Sequence, residues 1–363
     1  MLCPWLSPSR RPPFRGDARR PGMCTHFQLQ AKDRNHVVGR SMEFARPLDP
    51  AFYIQRRGEV LQQPVWAGAE FQRLEGAPSW AARYGYVGIS STSLPLPGIT
   101  QRIVTDGLNE AGLSVSLLWL PGTRYQAFGD LQNTVLAPLF ADWVLAHCGS
   151  VDEARELLPT RQFWLPDWLA KQLPLHAAIV DKDGRSLVVE FQDGQQKIYH
   201  NPVGVCTNAP WFPWHLDNLG NYLNLSPEDP APREIGSLPV SPPGHGGGLA
   251  GLPGNATPPA RFVRTVYLKQ FADQPDDLPQ AYSLATHLLN AVDIPRGTVR
   301  DGQDQDYTQW AVVKGLNSGE IGVRTYDSMQ YCGLRLHDID FASVPSQVIP
   351  LPKLADITFI QPK

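Results

Sequence analysis

From residue 24 onward, hydrophobic and polar positions alternate with the period of a half-buried strand, interrupted by short polar turns. CTHFQLQA (24–31) and HVVGRSMEF (36–44) are strand-like runs joined by the turn KDRN, the pattern of a hairpin. Further strand signals fall at AFYIQ (51–55), ARYGYVGIS (82–90) and QRIVTDGLNEAGLSVSLLWL (101–120), the last folding about Asn109 to Gly112. HAAIVDKDGRSLVVEF (176–191) is another hairpin, turning at DKDG, and TQWAVVKGLNSGEIGVRTYD (308–327) and YCGLRLHDI (331–339) supply late strands. Most of these runs are consecutive hairpins, so antiparallel pairing is expected over crossovers.

Between them the period becomes helical. Over 132–147, Val135, Leu136, Leu139, Phe140, Trp143 and Val144 recur at helical spacing, with Gly149 as the stop. Ser150 to Glu153 reads as a capping box that opens a second helix ending near Leu158. Helices are also expected at 214–223, 259–271 and 279–290. The whole predicts an α+β fold: two antiparallel sheets with helices on their outer faces. The Gly/Pro-rich stretch 240–259 is read as a loop and not a domain boundary, because helix and strand signals resume at once.

The first 22 residues differ. MLCPWLSPSRRPPFRGDARRPG holds five Pro and five Arg without periodicity and is expected to be disordered, since it offers too little apolar surface to offset its ordering entropy. It lacks the apolar core of a secretory signal. Three readings stay open: an upstream extension with Met23 as the true initiator, a removable pro-segment, or a retained tail. Residues 1–23 are therefore set apart from a single domain at 24–363.

The 363 residues, 42% hydrophobic, suffice for a substantial core, and 32 Lys+Arg against 35 Asp+Glu give a net charge of -3 with no basic block in the body of the chain. Nucleic-acid binding is not expected. Nor is membrane insertion, since the most apolar run, LAPLFADWVLAHC, is broken by Asp142. Five irregularly spaced cysteines form neither a disulfide framework nor a metal motif, which suits a reducing, cytoplasmic compartment; a periplasmic one is the alternative if the true N-terminus differs. No HExxH, GxxxxGK[ST] or GxSxG occurs, and no metal or organic cofactor is expected.

A cysteine at a chain start can carry its own base. Its α-amine has a pKa of about 7.7–8.0 and its thiol about 8.5, so a neutral amine can take the thiol proton directly or through one water. Such a site needs a cation beside the thiolate, a carboxylate to orient the ammonium, and amide donors for the oxyanion. If 24–31 and 36–44 pair, Arg40 and Glu43 lie alongside Cys24, and Arg40 is expected to lower the thiol pKa. Asn208, in VCTNAP, is the candidate oxyanion donor. Against this, a lone Arg and Glu in a hairpin are ordinarily solvated, Asn208 is ordinarily a turn residue, and an isolated Cys is ordinarily core filler. A Cys/His protease built on His26 or His215 is a weaker reading.

Taken together, MCT leading through the hairpin to GR-S-ME (23–43), DGLNEAGL (106–113), VCTNAPWFPWHLDNL (205–219), GLPGNATPPARFVR (251–264) and TQW (308–310) resemble the choloylglycine hydrolase and penicillin V acylase family of cysteine N-terminal-nucleophile hydrolases. The resemblance runs in family order from about Met23 to the last strands. It implies a four-layer αββα sandwich, hydrolysis of linear amide C–N bonds other than peptide bonds in proteins, a bacterial source and a homotetramer. It also implies that Cys24 is the nucleophile, Arg40 the arginine beside it, Asn208 the oxyanion-hole asparagine and Arg261 a distal brace.

Two positions depart from the family pattern. Glu43 stands where Asp is usual, keeping the carboxylate with a longer reach. Trp119 stands where bile-salt hydrolases present asparagine and penicillin acylases an aromatic residue. With Phe44, Trp211 and Trp214, it is expected to form an apolar wall suited to a flat or flexible acyl group in a small amide substrate. Conjugated bile salts are the alternative substrate, and a catalytically silent binding protein that keeps its leader is the alternative function.

Overall fold

The computed structural model describes residues 22–66, 71–72, 77–91 and 103–353. The first 21 residues of the expected leader, Cys3 among them, and the start of the strand expected at 101 lie outside the described residues. Fifteen strands form the two main sheets: β1 (Met23–Gln30), β2 (His36–Phe44), β3 (Pro50–Gln55), β4 (Tyr86–Ser91), β5 (Val104–Asn109), β6 (Ser114–Trp119), β7 (Leu175–Val180), β8 (Ser186–Gln192), β9 (Gln195–His200), β10 (Val205–Cys206), β11 (Val299–Asp301), β12 (Asp304–Gly315), β13 (Glu320–Thr325), β14 (Ser328–Arg335) and β15 (Gln347–Pro350). The helices are α1 (Phe140–His147), α2 (Val151–Leu157), α3 (Asp167–Ala170), α4 (Phe212–Asn218), α5 (Pro258–Phe271) and α6 (Leu278–Asn290).

One sheet runs β10-β1-β2-β12-β13-β14, with β11 pairing β12; the other runs β9-β8-β7-β6-β5-β4-β3-β15. Both are antiparallel, as the hairpin pattern predicts. β1 faces β6 across the interior, α5 and α6 cover the outer face of the first sheet, and α1 covers β5 and β6 on the second. The layers are thus helix, sheet, sheet, helix, the expected αββα order. Each sheet is covered on both faces, so polar side chains that point inward must find partners there.

Two cores fill the layers. Phe27, Val37, Phe262, Ala285 and Leu288 pack between the first sheet and its helices, in a cluster continuous with inter-sheet residues such as Val38, Ile89 and Leu118. Val115, Leu117, Phe140, Trp143 and Phe163 belong to the second, under α1. Gly39 lies directly opposite Phe27, and a Cβ there would fall 2.3 Å from its ring, so only glycine lets the aromatic side chain lie flat on β2.

Several elements differ from expectation. The helix expected over 132–147 starts at Phe140: Thr134–Leu136 forms a short strand beside Gln162–Trp164, and Ala137–Leu139 forms a 3₁₀ turn with Pro138 near its start, where a proline ring is tolerated. Ser150 caps Glu153 N–H at 3.2 Å as expected, but the Glu153 carboxylate reaches back to Gly149 N–H instead of closing the box on Ser150. The helix expected at 214–223 begins at Phe212 and ends in a 3₁₀ turn at Leu219–Tyr222. The strand expected at 331–339 runs from Ser328 to Arg335 and gives way to a 3₁₀ turn. Edge strand β9, strand β15 and a small hairpin of Arg233–Ile235 with Leu238–Val240 carry no alternation long enough to reveal them.

Candidate active site

β1 and β2 pair in register from Met23 opposite Glu43 to Gln30 opposite His36, which sets Cys24 beside Met42 and His26 beside Arg40. Residues paired across an antiparallel ladder share a face. Cys24, His26, Arg40 and Met42 therefore point between the sheets, while Thr25, Ser41 and Glu43 point toward α5 and α6.

On the inner face, Arg40 is fully buried, and its Nη2 donates to the Cys24 sulfur at 3.4 Å and to the Leu117 carbonyl at 2.8 Å. Arg40 Nε lies 3.4 Å from Asp106 Oδ2, and the other Asp106 oxygen is held by Lys314, which also donates to Ser116 Oγ at 3.3 Å. Arg40 was expected to lower the thiol pKa. It does act in that direction, but burial outweighs it, and with residues 22 and 23 in place the Cys24 thiol is pushed up overall. Glu43 adds to the rise, while hydrogen bonding from the Trp119 backbone and the charge of Arg261 oppose it.

The Cys24 backbone N–H donates to Asn208 Oδ1 at 2.9 Å, and Arg261 Nη2 donates to the same oxygen at 2.6 Å. Asn208 Nδ2 donates to the Trp119 carbonyl at 2.7 Å. The amide orientation follows from chemistry: a guanidinium only donates and a carbonyl only accepts, so oxygen must face Arg261 and nitrogen Trp119. One Nδ2 proton remains for a ligand. Arg261, in the first turn of α5 after Thr257, spends its fork on the Cys24 carbonyl and Thr25 hydroxyl, both at 2.6 Å, and on the Ala256 carbonyl at 2.9 Å. His215 supports Asn208 by a 2.8 Å contact between Nε2 and its carbonyl.

Glu43 is buried, with Oε1 accepting the Thr308 hydroxyl at 2.8 Å and Oε2 lacking a hydrogen-bond partner. The pairing of β2 with β12 shifts here: Met42 faces Trp310 but Glu43 faces Thr308, so a bulge at Gln309 turns Thr308 onto Glu43's side. Burial raises the Glu43 carboxyl, and Arg261 most strongly opposes this. Asp306, two residues before Thr308, is pushed up to about 7 by burial and then by the charge of Glu43.

A small cavity of about 60 Å³ beside the thiol is lined by Gly22, Cys24, Arg40, Phe44, Leu117, Trp119 and Leu175, among others. Phe44 and Trp119 meet edge to face at 5.7 Å and form its wall. Gly22 also borders a second, open cleft of about 790 Å³ with Met23, Asn208, Thr257 and Arg264, so the backbone just before Cys24 lies between the two spaces. Trp211 and Trp214, expected at the substrate, line neither: Trp211 packs near Gly122, and Trp214 sits exposed on α4 against His215. Their placement follows from α4 starting at Phe212, which carries Trp214 to the outer side of the helix. Neither His26 nor His215 is hydrogen-bonded to the thiol; His26 Nδ1 pairs with Ser116 Oγ at 3.0 Å, and burial with Lys314 and Arg40 keeps the ring's pKa well below its usual value.

Asp106, Lys314, Thr25 and Thr308 join the site without having been given a role in the sequence, although Thr25, Asp106 and Thr308 fall inside the motifs MCT, DGLNEAGL and TQW. A signal existed for two of them. In IVTDGL and WAVVKGL a charged residue stands at a position that strand alternation directs into the core. Among the described residues, no group of three or more His, Cys, Asp or Glu side chains is arranged to hold a metal.

A family model described as "Linear amide C-N hydrolases, choloylglycine hydrolase family" matches residues 24–347, beginning at Cys24. The chain is similar to a bile salt hydrolase/transferase of Clostridium perfringens, 29% identical over 320 residues that cover 85% of this chain and 91% of that protein. It is 33% identical over 223 residues to a penicillin V acylase of Pectobacterium atrosepticum, covering 56% of this chain and 55% of that one. A crystal structure of a variant of the conjugated bile acid hydrolase from Clostridium perfringens superposes with a TM-score of 0.80 at 26% identity, covering 93% of this chain and all of the other.

Proposed function

We propose, from the premise that this chain belongs to the choloylglycine hydrolase family of linear amide C–N hydrolases, that it cleaves a small N-acyl amide with Cys24 as an N-terminal nucleophile. One observation carries the reading: the Cys24 sulfur lies against Arg40 Nη2, and its backbone nitrogen is held at 2.9 Å by Asn208. Nucleophile and prospective base thus belong to one ordered residue. The reading requires removal of residues 1–23, because an amide nitrogen is no base. The family match that starts at Cys24 supports the boundary.

In this mechanism the freed α-amine takes the thiol proton and the thiolate, facing Arg40, attacks the amide carbonyl carbon. The C=O π electrons move onto oxygen, which accepts hydrogen bonds from the second Asn208 Nδ2–H and the Trp119 backbone N–H. Collapse breaks the C–N bond; the leaving amine departs with the proton held by the ammonium. Water then adds to the thioester, giving its proton to the α-amine, and the C–S bond breaks to release the acid. Glu43, opposite Met23 in the ladder, is left facing the new terminus and orients the ammonium.

The apolar wall of Phe44 and Trp119 favours a flat or flexible acyl group, which penicillin V and acyl homoserine lactones carry. Conjugated bile salts remain the second reading, supported by the similarity to bile salt hydrolase/transferase over most of both chains. The proposal includes a homo-oligomer, for which exposed Ile235 and Leu238 on the Arg233–Val240 hairpin offer apolar surface, and a reducing compartment, which suits Cys24, Cys148, Cys206 and Cys332, unpaired among the described residues. The test is hydrolysis of these three substrate classes by wild type and Cys24→Ser. Turnover is expected to fall roughly 10³-fold or more with the fold intact. Undiminished hydrolysis by the variant sinks the mechanism.

A further inference from the structure

We infer that Lys314 is a positioning residue, which keeps the Arg40 guanidinium on the Cys24 sulfur by occupying the carboxylate of Asp106. The inference rests on the proposed roles of Cys24 and Arg40, and it concerns residues of the opposite sheet and of β12 that touch neither substrate nor sulfur.

Four fully buried side chains meet between the sheets: Arg40, Asp106, Lys314 and Ser116. Arg40 and Lys314 come from β2 and β12, which pair with Arg40 opposite Val312 and Lys314 opposite Val38, so both cations share the inner face. Asp106 and Ser116 are register partners on β5 and β6 and present their polar atoms to that face from the second sheet. Two cations thus compete for one carboxylate. Lys314 makes the close contact, on Oδ1, and takes Ser116 Oγ at 3.3 Å as a second acceptor. Arg40 Nε stays 3.4 Å from Oδ2 without a hydrogen bond.

The arrangement has an electrostatic consequence. Arg40 and Lys314 share the single carboxylate of Asp106, so this group of side chains holds one positive charge in excess until the Cys24 thiolate forms. A guanidinium facing a carboxylate with no other cation forms a two-pronged fork, shorter and stronger than its contact with a thiol. Without Lys314, Arg40 is drawn to Asp106 and away from the sulfur. Burial lowers the Lys314 pKa overall, and the charge and hydrogen bond of Asp106 act against that. The other groups that bear on the thiol are Glu43 from β2, the Trp119 backbone of β6, Cys206 from β10 and Arg261 from α5, while His26, on the same face of β1, is itself influenced by Lys314, Arg40, Lys269 and His176. Neither those four groups nor His26 pairs with Asp106.

The test measures the rate of Cys24 alkylation by iodoacetamide against pH in the purified protein, located by peptide mass, alongside kcat and KM. Lys314→Met is expected to raise the pH midpoint by at least about one unit, an approximately tenfold slower reaction at pH 7, and to lower kcat with little change in KM. Lys314→Arg, which keeps a cation on Asp106, retains the wild-type midpoint. The double variant Asp106→Asn/Lys314→Met removes the competing carboxylate as well and is expected to restore the midpoint, a rescue that a merely structural role would not produce. A folded Lys314→Met protein with the wild-type midpoint, or a double variant whose midpoint stays raised, overturns the inference. Should the single variant not fold, the double variant decides alone by the same criterion. Cys24→Ser that still hydrolyses amides would defeat the underlying reading instead, and alkylation reports on Lys314 independently of that result.

Discussion

The side-chain oxygen of Asn208 accepts the backbone N–H of Cys24 at 2.9 Å across 184 residues of sequence. The same amide gives one Nδ2 proton to the Trp119 carbonyl and keeps one, so a single side chain holds the Cys24 nitrogen and has a donor left for a ligand, the oxyanion in the proposed mechanism. Asn208→Ala is expected to lower kcat by roughly 10²- to 10³-fold, the loss typical of one oxyanion donor, with KM within a few-fold of wild type. Steady-state kinetics decide. A loss confined to KM contradicts the assignment.

Arg261 satisfies four acceptors: the carbonyls of Cys24 and Ala256, the Thr25 hydroxyl and Asn208 Oδ1. No lysine can reproduce that fork. Arg261→Lys should therefore cost roughly 3 kcal/mol of stability and most of the activity, read by denaturant unfolding and turnover on one sample. A variant of wild-type stability would show the brace to be dispensable.

Glu43 separates charge from shape. Glu43→Gln keeps a carbonyl oxygen for the Thr308 hydroxyl but cannot pair with an ammonium, so kcat is expected to drop roughly tenfold or more while the fold persists. Circular dichroism with kinetics checks both halves. Full activity in Glu43→Gln would remove the carboxylate from the mechanism.

These three residues also mark how far the sequence could be read. The β1–β2 hairpin, and with it Cys24 beside Arg40, was legible because a period-2 pattern and a polar turn define a register almost by themselves. Arg261 was visible only through family resemblance, since nothing local separates it from a helix-surface charge. Thr308 reaches Glu43 through a bulge at Gln309, which no alternation pattern announces. Asp106 and Lys314 were readable in principle, as charges at inward strand positions, but their pairing depends on how the two sheets stack. Trp211 and Trp214 were set near the substrate by the family resemblance alone, and with α4 starting at Phe212 they line neither of the two spaces beside Cys24.

Asp142 provides a pH test away from the thiol. Buried on α1, it accepts from the Tyr86 hydroxyl at 2.8 Å and Val104 N–H at 3.3 Å, yet burial raises its pKa to about 7. Its folded pKa lies above its unfolded value near 4, so the native state binds the extra proton between those pH values, and stability falls as pH rises from about 4 to 7. In Asp142→Asn that part of the slope should disappear, at the cost of one hydrogen bond. Melting temperatures of both proteins at pH 5 and 8 test this; parallel slopes would show that Asp142 does not titrate there.

Trp119 and Phe44 form the wall of a cavity of only about 60 Å³ beside the sulfur. Trp119→Leu removes ring volume on that side and should move the ratio of kcat/KM for a conjugated bile salt over penicillin V upward by about tenfold. An unchanged ratio would place acyl selection elsewhere.

The central claim is that Cys24 acts from a free N-terminus. The most direct measurement is acid-quenched mass spectrometry of the enzyme caught during turnover, with peptide mapping of the acyl group. The account predicts an added acyl mass on the peptide that begins at Cys24, labile to hydroxylamine as a thioester is. An acyl adduct on any other residue, or steady turnover by a chain that still carries Met23, would contradict it.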